Sequence, residues 1–130
     1  GLNAHRTGLA VSLIRGNLTE PLAAESVDAV ISNPPYVSAG EYLQLDRAVR
    51  DFEPRSALES GPDGLAATEA VLRDGWRVVR PGGLVALEIA SARAAASLEL
   101  AGRAGWTDLV VDDDLYGRPR YLLGRKGAGE

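Results

Sequence analysis

Four consecutive residues, Asn33-Pro34-Pro35-Tyr36, carry the clearest chemistry in this chain. They follow Asp28-Ala29-Val30-Ile31-Ser32, whose apolar and partly β-branched centre reads as a buried strand that the two prolines stop. Each proline fixes its own φ, and Pro35 also restricts Pro34, so the turn is stiff. In open α/β sheets ligands bind just outside the carboxyl ends of the strands. An amide or ring-amine nitrogen is a poor nucleophile because its lone pair is delocalised into a π system. Two acceptors, the Asn33 side-chain oxygen and the Pro34 carbonyl, can hold both of its N–H bonds and aim it at an electrophile. Proline has no N–H to compete for them. Tyr36 can stack on a planar group, and the held geometry supplies proximity. An Asn-Pro pair alone would be an ordinary strand-end turn.

The elements that must position this string can be read in order. Gly1 to Gly8 reads as the tail of a helix closed by a glycine, and Leu9 to Ile14 as an apolar strand. Arg15-Gly16-Asn17-Leu18 is a polar strand end, and Thr19 to Val27 a connection. Ser38 to Asp51 spaces Tyr42, Leu45, Val49 and Phe52 as a marginal amphipathic helix, closed by Glu53-Pro54. Ser60-Gly61-Pro62-Asp63-Gly64 is a turn cluster. Leu65 to Val79 predicts a helix with Leu65, Thr68, Val71, Leu72, Trp76 and Val79 on its sheet-facing stripe. Arg80-Pro81-Gly82-Gly83 breaks that helix. Leu84 to Ile89 predicts a strand buried on both faces, with Glu88 at its functional end and in need of a partner. Ala92 to Ala104 predicts a helix, Trp106 to Val111 a strand, Tyr121 to Gly124 an antiparallel closing strand, and Arg125 to Glu130 a frayed tail.

Composition narrows the function classes. The chain has 130 residues, 45% of them hydrophobic, which is enough for one domain with a core. A formal charge of −4 argues against a protein that grips nucleic acid through its phosphates. No cysteine and a single histidine, His5, leave no disulfide framework and no basis for a thiolate or histidine metal site. Asp112-Asp113-Asp114 reads as a solvated turn rather than a metal site. No run approaches transmembrane length and no leader is recognisable, so a cytoplasmic protein is expected.

With Asn33 to Tyr36 behind such a strand, the chain resembles the amino-methyltransferases that use S-adenosylmethionine. The stretch Val49-Arg50-Asp51-Phe52-Glu53-Pro54-Arg55-Ser56-Ala57-Leu58, then Gly61-Pro62-Asp63-Gly64-Leu65, is similar to one branch, the release factor glutamine methyltransferase family. So is Asp114-Leu115-Tyr116-Gly117-Arg118-Pro119-Arg120, which matches that family's hairpin Asp-Leu-x-Gly-Arg-x-Arg. The resemblance implies an α/β, Rossmann-like methyltransferase sheet of strand order 3-2-1-4-5-7-6. It also implies methylation of the side-chain amide of the glutamine in the Gly-Gly-Gln loop of a peptide chain release factor. By the same resemblance Asn33, Pro34, Pro35 and Tyr36 are catalytic and substrate-binding, and Asn33 also faces the cofactor. Asn17 and Leu18 stand where the family has an acidic residue and often an aromatic against the adenine. Phe52, Glu53 and Pro54 shape the glutamine pocket.

A methyltransferase of this fold also needs a glycine-rich strand–turn–helix and a second strand ending in an acidic residue, and neither is in this sequence. The expectation is therefore that residues 1–130 are the C-terminal portion of one catalytic domain, lacking its first two strands. Its partners would be the release factor and the N-terminal part of the same enzyme, with no stable nucleic acid and no membrane. Alone it should bind S-adenosylmethionine weakly. Two other readings compete: a methyltransferase for exocyclic amines of adenine or guanine, and a non-catalytic remnant that serves as a binding module.

Overall fold

The computed structural model describes residues 2–128, apart from the side chain of Leu2. The elements are α1 (Leu2–Thr7), β1 (Val27–Ser32), α2 (Ala39–Tyr42), α3 (Arg47–Arg50), α4 (Arg55–Leu58) and α5 (Ala66–Val78). They continue with β2 (Val79–Glu88), a 3-10 turn (Ser91–Arg93), α6 (Ala94–Arg103), β3 (Thr107–Asp113) and β4 (Pro119–Arg125). The four strands form one sheet in the order β1-β2-β4-β3, with β1 parallel to β2 and the other neighbours antiparallel. Of the seven-strand order expected, the described residues form these four strands.

One face of the sheet is packed. Val71, Leu72 and Val78 of α5 and Ala101 of α6 meet Val30, Val85, Leu87 and Leu122, with Ile89 and Trp106 completing the core. The buried positions of α5, Thr68, Val71, Leu72, Gly75 and Val78, recur at three and four. Trp106 closes the cluster by donating Nε1–H to the Leu72 carbonyl at 2.9 Å and meeting Trp76 edge-on at 5.3 Å. On the opposite face one row crosses all four strands in register, Ile31–Ala86–Leu123–Val110, and among the described residues no element packs on it. Leu84 to Ile89 is thus buried on one face only, a correction to the two-sided burial expected.

Other expectations are also corrected. Leu9 to Ile14 is not a strand: no partner strand lies beside it among the described residues, and without a ladder its backbone stays irregular and exposed. Ser38 to Asp51 is not one helix but two turns, each capped separately, α2 by Ser38 and α3 by Asp46. These caps outcompete a weak apolar stripe. Arg80 to Gly83 ends the helix yet continues the strand, because Gly82 adopts φ 79° and exchanges ladder bonds with Lys126 through its neighbour Gly83. Asp112 and Asp113 belong to β3 rather than to a turn. Arg125 closes β4, and Lys126 is buried, its Nζ donating to the carbonyls of Trp76 and Val79, both at 2.9 Å. The tail is therefore anchored at its start, and Gly129 and Glu130 lie outside the described residues. No helix among the described residues is long and apolar enough to cross a membrane.

Candidate active site

β1 delivers Asn33 at its carboxyl end, beside the carboxyl end of β2, because Ser32 pairs with Leu87. Past the prolines the chain is pinned rather than free. The Val37 amide donates to the Leu58 carbonyl at 3.0 Å, the Ser60 amide to the Val37 carbonyl at 2.8 Å, and the Ala39 amide to the Gly61 carbonyl at 2.9 Å. Gly64 closes this arrangement from the other side. At φ 79° it lies so near Tyr36 that a Cβ would stand 2.6 Å from the Tyr36 carbonyl oxygen, so only glycine fits. The sequence marked Ser60 to Gly64 as a turn but gave no sign that it abuts the site.

Pro34 is buried and Pro35 and Tyr36 half-buried, whereas Asn33 is exposed, and among the described residues its carboxamide has no hydrogen-bond partner. Asn33 stands where two hollows meet. One, of about 480 Å³, runs over the open sheet face past Ile31, Ala86, Glu88 and Tyr121. The other, of about 290 Å³, is walled by Pro34, Tyr36, Leu45, Val49, Ala57 and Leu58.

Glu88 finds the partners its position demanded. Its Oε1 accepts from the Tyr36 hydroxyl at 3.3 Å and lies 3.9 Å from Arg120 Nη1. Burial pushes the Tyr36 hydroxyl above its ordinary pKa of 10.0, and the adjacent Glu88 carboxylate pushes it the same way. Tyr36 therefore keeps its proton at neutral pH and remains a donor, and its side chain lines the second of the two hollows. Beside it, Ser38 and Glu41 form a capping box. The Ser38 amide, the Ser38 hydroxyl and Arg93 hold the Glu41 carboxyl down to about 2.

The other sequence-derived candidates lie apart from Asn33. Asn17 Nδ2 donates to Glu20 Oε1 at 2.9 Å, and Leu18 takes a left-handed φ of 47°. Arg77 ties the following connection down, donating to the carbonyls of Leu22 at 2.8 Å and Thr19 at 3.2 Å. Asn17 and Leu18 line a third hollow, of about 370 Å³, with Pro35, Gly61, Ala66 and Ala67. An adenine ring asks for apolar cover and for an acceptor facing its exocyclic amine. Leu18, Pro35 and the two alanines provide the first, and Asn17 Oδ1 the second, so these residues fit that end of S-adenosylmethionine. Phe52, Glu53 and Pro54 are not brought into the hollow beside Tyr36; Val49, Ala57 and Leu58 from the same segment line it instead. Phe52 is 85% exposed.

No protein-family model matches the chain. Curated relatives do. The chain is 40% identical to the release factor glutamine methyltransferase of Nitratidesulfovibrio vulgaris, over 95% of this chain and 44% of that protein. It is 35% identical to that of Geobacter sulfurreducens, over 96% of this chain and 44% of that protein. With the Gloeobacter violaceus protein the identity is 43% over 79% of this chain and 37% of that one. The chain thus spans less than half the length of these relatives. Among solved structures, a methyltransferase from Pyrococcus furiosus superposes with a TM-score of 0.66 at 18% identity, over 97% of this chain and 55% of that one. That likeness establishes the fold as a methyltransferase-like α/β sheet.

Proposed function

We propose that this chain, a sequence relative of the release factor glutamine methyltransferases, provides the acceptor-side half of a site that methylates the side-chain amide of a glutamine in the Gly-Gly-Gln loop of a peptide chain release factor. S-Adenosylmethionine supplies the methyl group, as an electrophilic carbon on a sulfonium. Asn33 Oδ1 and the Pro34 carbonyl accept the two N–H bonds of the amide and turn its nitrogen toward that carbon. As the N–C bond forms, the C–S bond breaks, and the nitrogen then releases its extra proton to solvent. The step needs orientation rather than a strong base. Pro35 keeps the turn from relaxing, and Tyr36, fixed by Glu88, stacks on the planar amide. Asn17 and Leu18 face the adenine.

The observation that carries this reading is the exposed carboxamide of Asn33, without a partner among the described residues, on a proline-fixed strand end between two hollows. The test is transfer of labelled methyl from S-adenosylmethionine to a release factor by the natural full-length product. Asn33→Ala should lower kcat by about 100-fold or more without altering the melting temperature. An unchanged kcat would end the proposal.

The competing reading, transfer to an exocyclic amine in nucleic acid, needs cations free to meet phosphates. The arginines nearest Tyr36 are instead paired, Arg93 with Glu41, Arg118 with Asp114, and Arg120 with Glu88 and Asp114.

A further inference from the structure

The turn between β3 and β4 is apolar where hairpin tips are ordinarily polar. Leu115 is 101% exposed and Tyr116 83% exposed. Loose exposure would mean little, since scattered surface apolar residues are common. Here the backbone that carries the exposed pair is held in a fixed turn. Asp114 Oδ1 accepts from the amides of Tyr116 at 2.8 Å and Arg118 at 3.1 Å. The Asp114 amide donates to the Arg118 carbonyl at 2.8 Å. Arg118 Nη2 meets Asp114 Oδ2 at 2.9 Å, and its guanidinium carbon stands 5.2 Å from the centre of the Tyr116 ring. Gly117 supplies the φ of 72° that closes the turn.

The turn is also connected to the site. Arg120 Nη2 lies 3.8 Å from Asp114 Oδ2, its Nη1 3.9 Å from Glu88 Oε1, and Glu88 accepts from the Tyr36 hydroxyl at 3.3 Å. A chain of polar contacts therefore runs from the tip, through Arg120 and Glu88, to Tyr36. Between them lies a hollow of about 510 Å³, lined in part by Tyr36, Val37, Glu41, Leu45, Arg118 and Arg120. Each of its cations faces a carboxylate, so it suits a neutral polypeptide loop and not a phosphate backbone.

Resting on the function proposed above, we infer that Leu115 and Tyr116 are the docking element for the folded protein that carries the acceptor glutamine, and that Arg120 and Glu88 keep this element in register with Tyr36. The occupant is a protein with a shallow apolar patch beside a flexible, uncharged acceptor loop. The tip seats on the patch while the loop crosses the hollow to Asn33. A rigid aromatic with little entropy to lose on binding is well suited to this, and the uncharged loop needs no counter-ion.

The test compares two acceptors, an intact release factor and a short unstructured peptide containing Gly-Gly-Gln, with the natural full-length product and its Leu115→Ser/Tyr116→Ser variant. The expected result is a KM for the intact factor raised about tenfold in the variant. Its kcat, its rate on the peptide and its melting temperature should stay as in the wild type, because the two side chains line neither hollow at Asn33 and are exposed among the described residues. Equal KM values for the intact factor, or equal losses on factor and peptide, would overturn the docking role while leaving the proposed function in place. A wild type that methylates neither acceptor removes the proposed function, and the docking role with it. Transfer to single-stranded nucleic acid that depends on Leu115 and Tyr116 would show that the wrong occupant was chosen.

Discussion

Leu84 to Ile89 and Leu9 to Ile14 are two apolar, partly β-branched runs of equal length, and they end in opposite conditions. The first lies between β1 and β4, with Val85, Leu87 and Ile89 at 0 to 1% exposure. The second is irregular, with Val11 at 54% and Leu13 at 67% exposure. Composition alone does not separate them. Strand propensity measures fit to a half-buried surface, and one run has such a surface while the other has no neighbour among the described residues. The site shows the same rule. Asn33 is well placed because β1 has β2 at its side and its exit turn is pinned to Leu58 and Ser60.

Substitutions can sharpen or break this contrast. Leu87→Ala should give the largest effect, a loss of about 2 to 5 kcal/mol in denaturant unfolding, because it opens a cavity in a packed layer. Lys126→Met should cost less, about 1 to 3 kcal/mol, by stranding the Trp76 carbonyl in the last turn of α5 and the Val79 carbonyl at the start of β2. An effect near zero would mean that the anchored tail contributes nothing to holding that strand.

A pH experiment probes a contact that is chiefly local, the Ser38–Glu41 capping box, to which Arg93 adds one bond from across the fold. Glu41 has its folded pKa lowered to about 2 from an ordinary 4.5. Its contribution is therefore fully present above about pH 4.5 and is lost as pH falls through about 2. Carboxyl NMR titration should show that low midpoint, and Ser38→Ala should move it back upward. Smallest of all, Leu13→Ala should change stability by no more than about 0.5 kcal/mol, since Leu13 is 67% exposed. A loss at Leu13 comparable to that at Leu87 would break the comparison, and would show that the run is packed in solution.

Local features proved legible in the sequence to different depths. The three- and four-residue spacing of Leu65, Thr68, Val71, Leu72, Trp76 and Val79 gave the helix because a packed amphipathic stripe has to recur at that period, although the structure buries Gly75 and Val78 in the last turn and leaves Leu65 and Trp76 half-buried. Asn33 to Tyr36 could be assigned to a strand end because two successive prolines forbid continuation whatever lies nearby. The segment from Ser38 to Pro54 was less transparent. Its caps are as strong as its stripe is weak, so it folded as short turns, and Val49, Ala57 and Leu58 rather than Phe52 came to line the hollow.

What the sequence determined by itself was whatever depends on bonds and near neighbours: the stiff turn, the helix period, the hairpin at Gly117 and the family motif. Tertiary structure decided the partners. It set Glu88 against Tyr36, placed Gly64 where a side chain would strike the Tyr36 carbonyl, buried Lys126 under Trp76, and left Leu9 to Ile14 without a ladder. Those outcomes depend on which surfaces meet across dozens of residues, and the free energy of meeting belongs to the pair rather than to either segment.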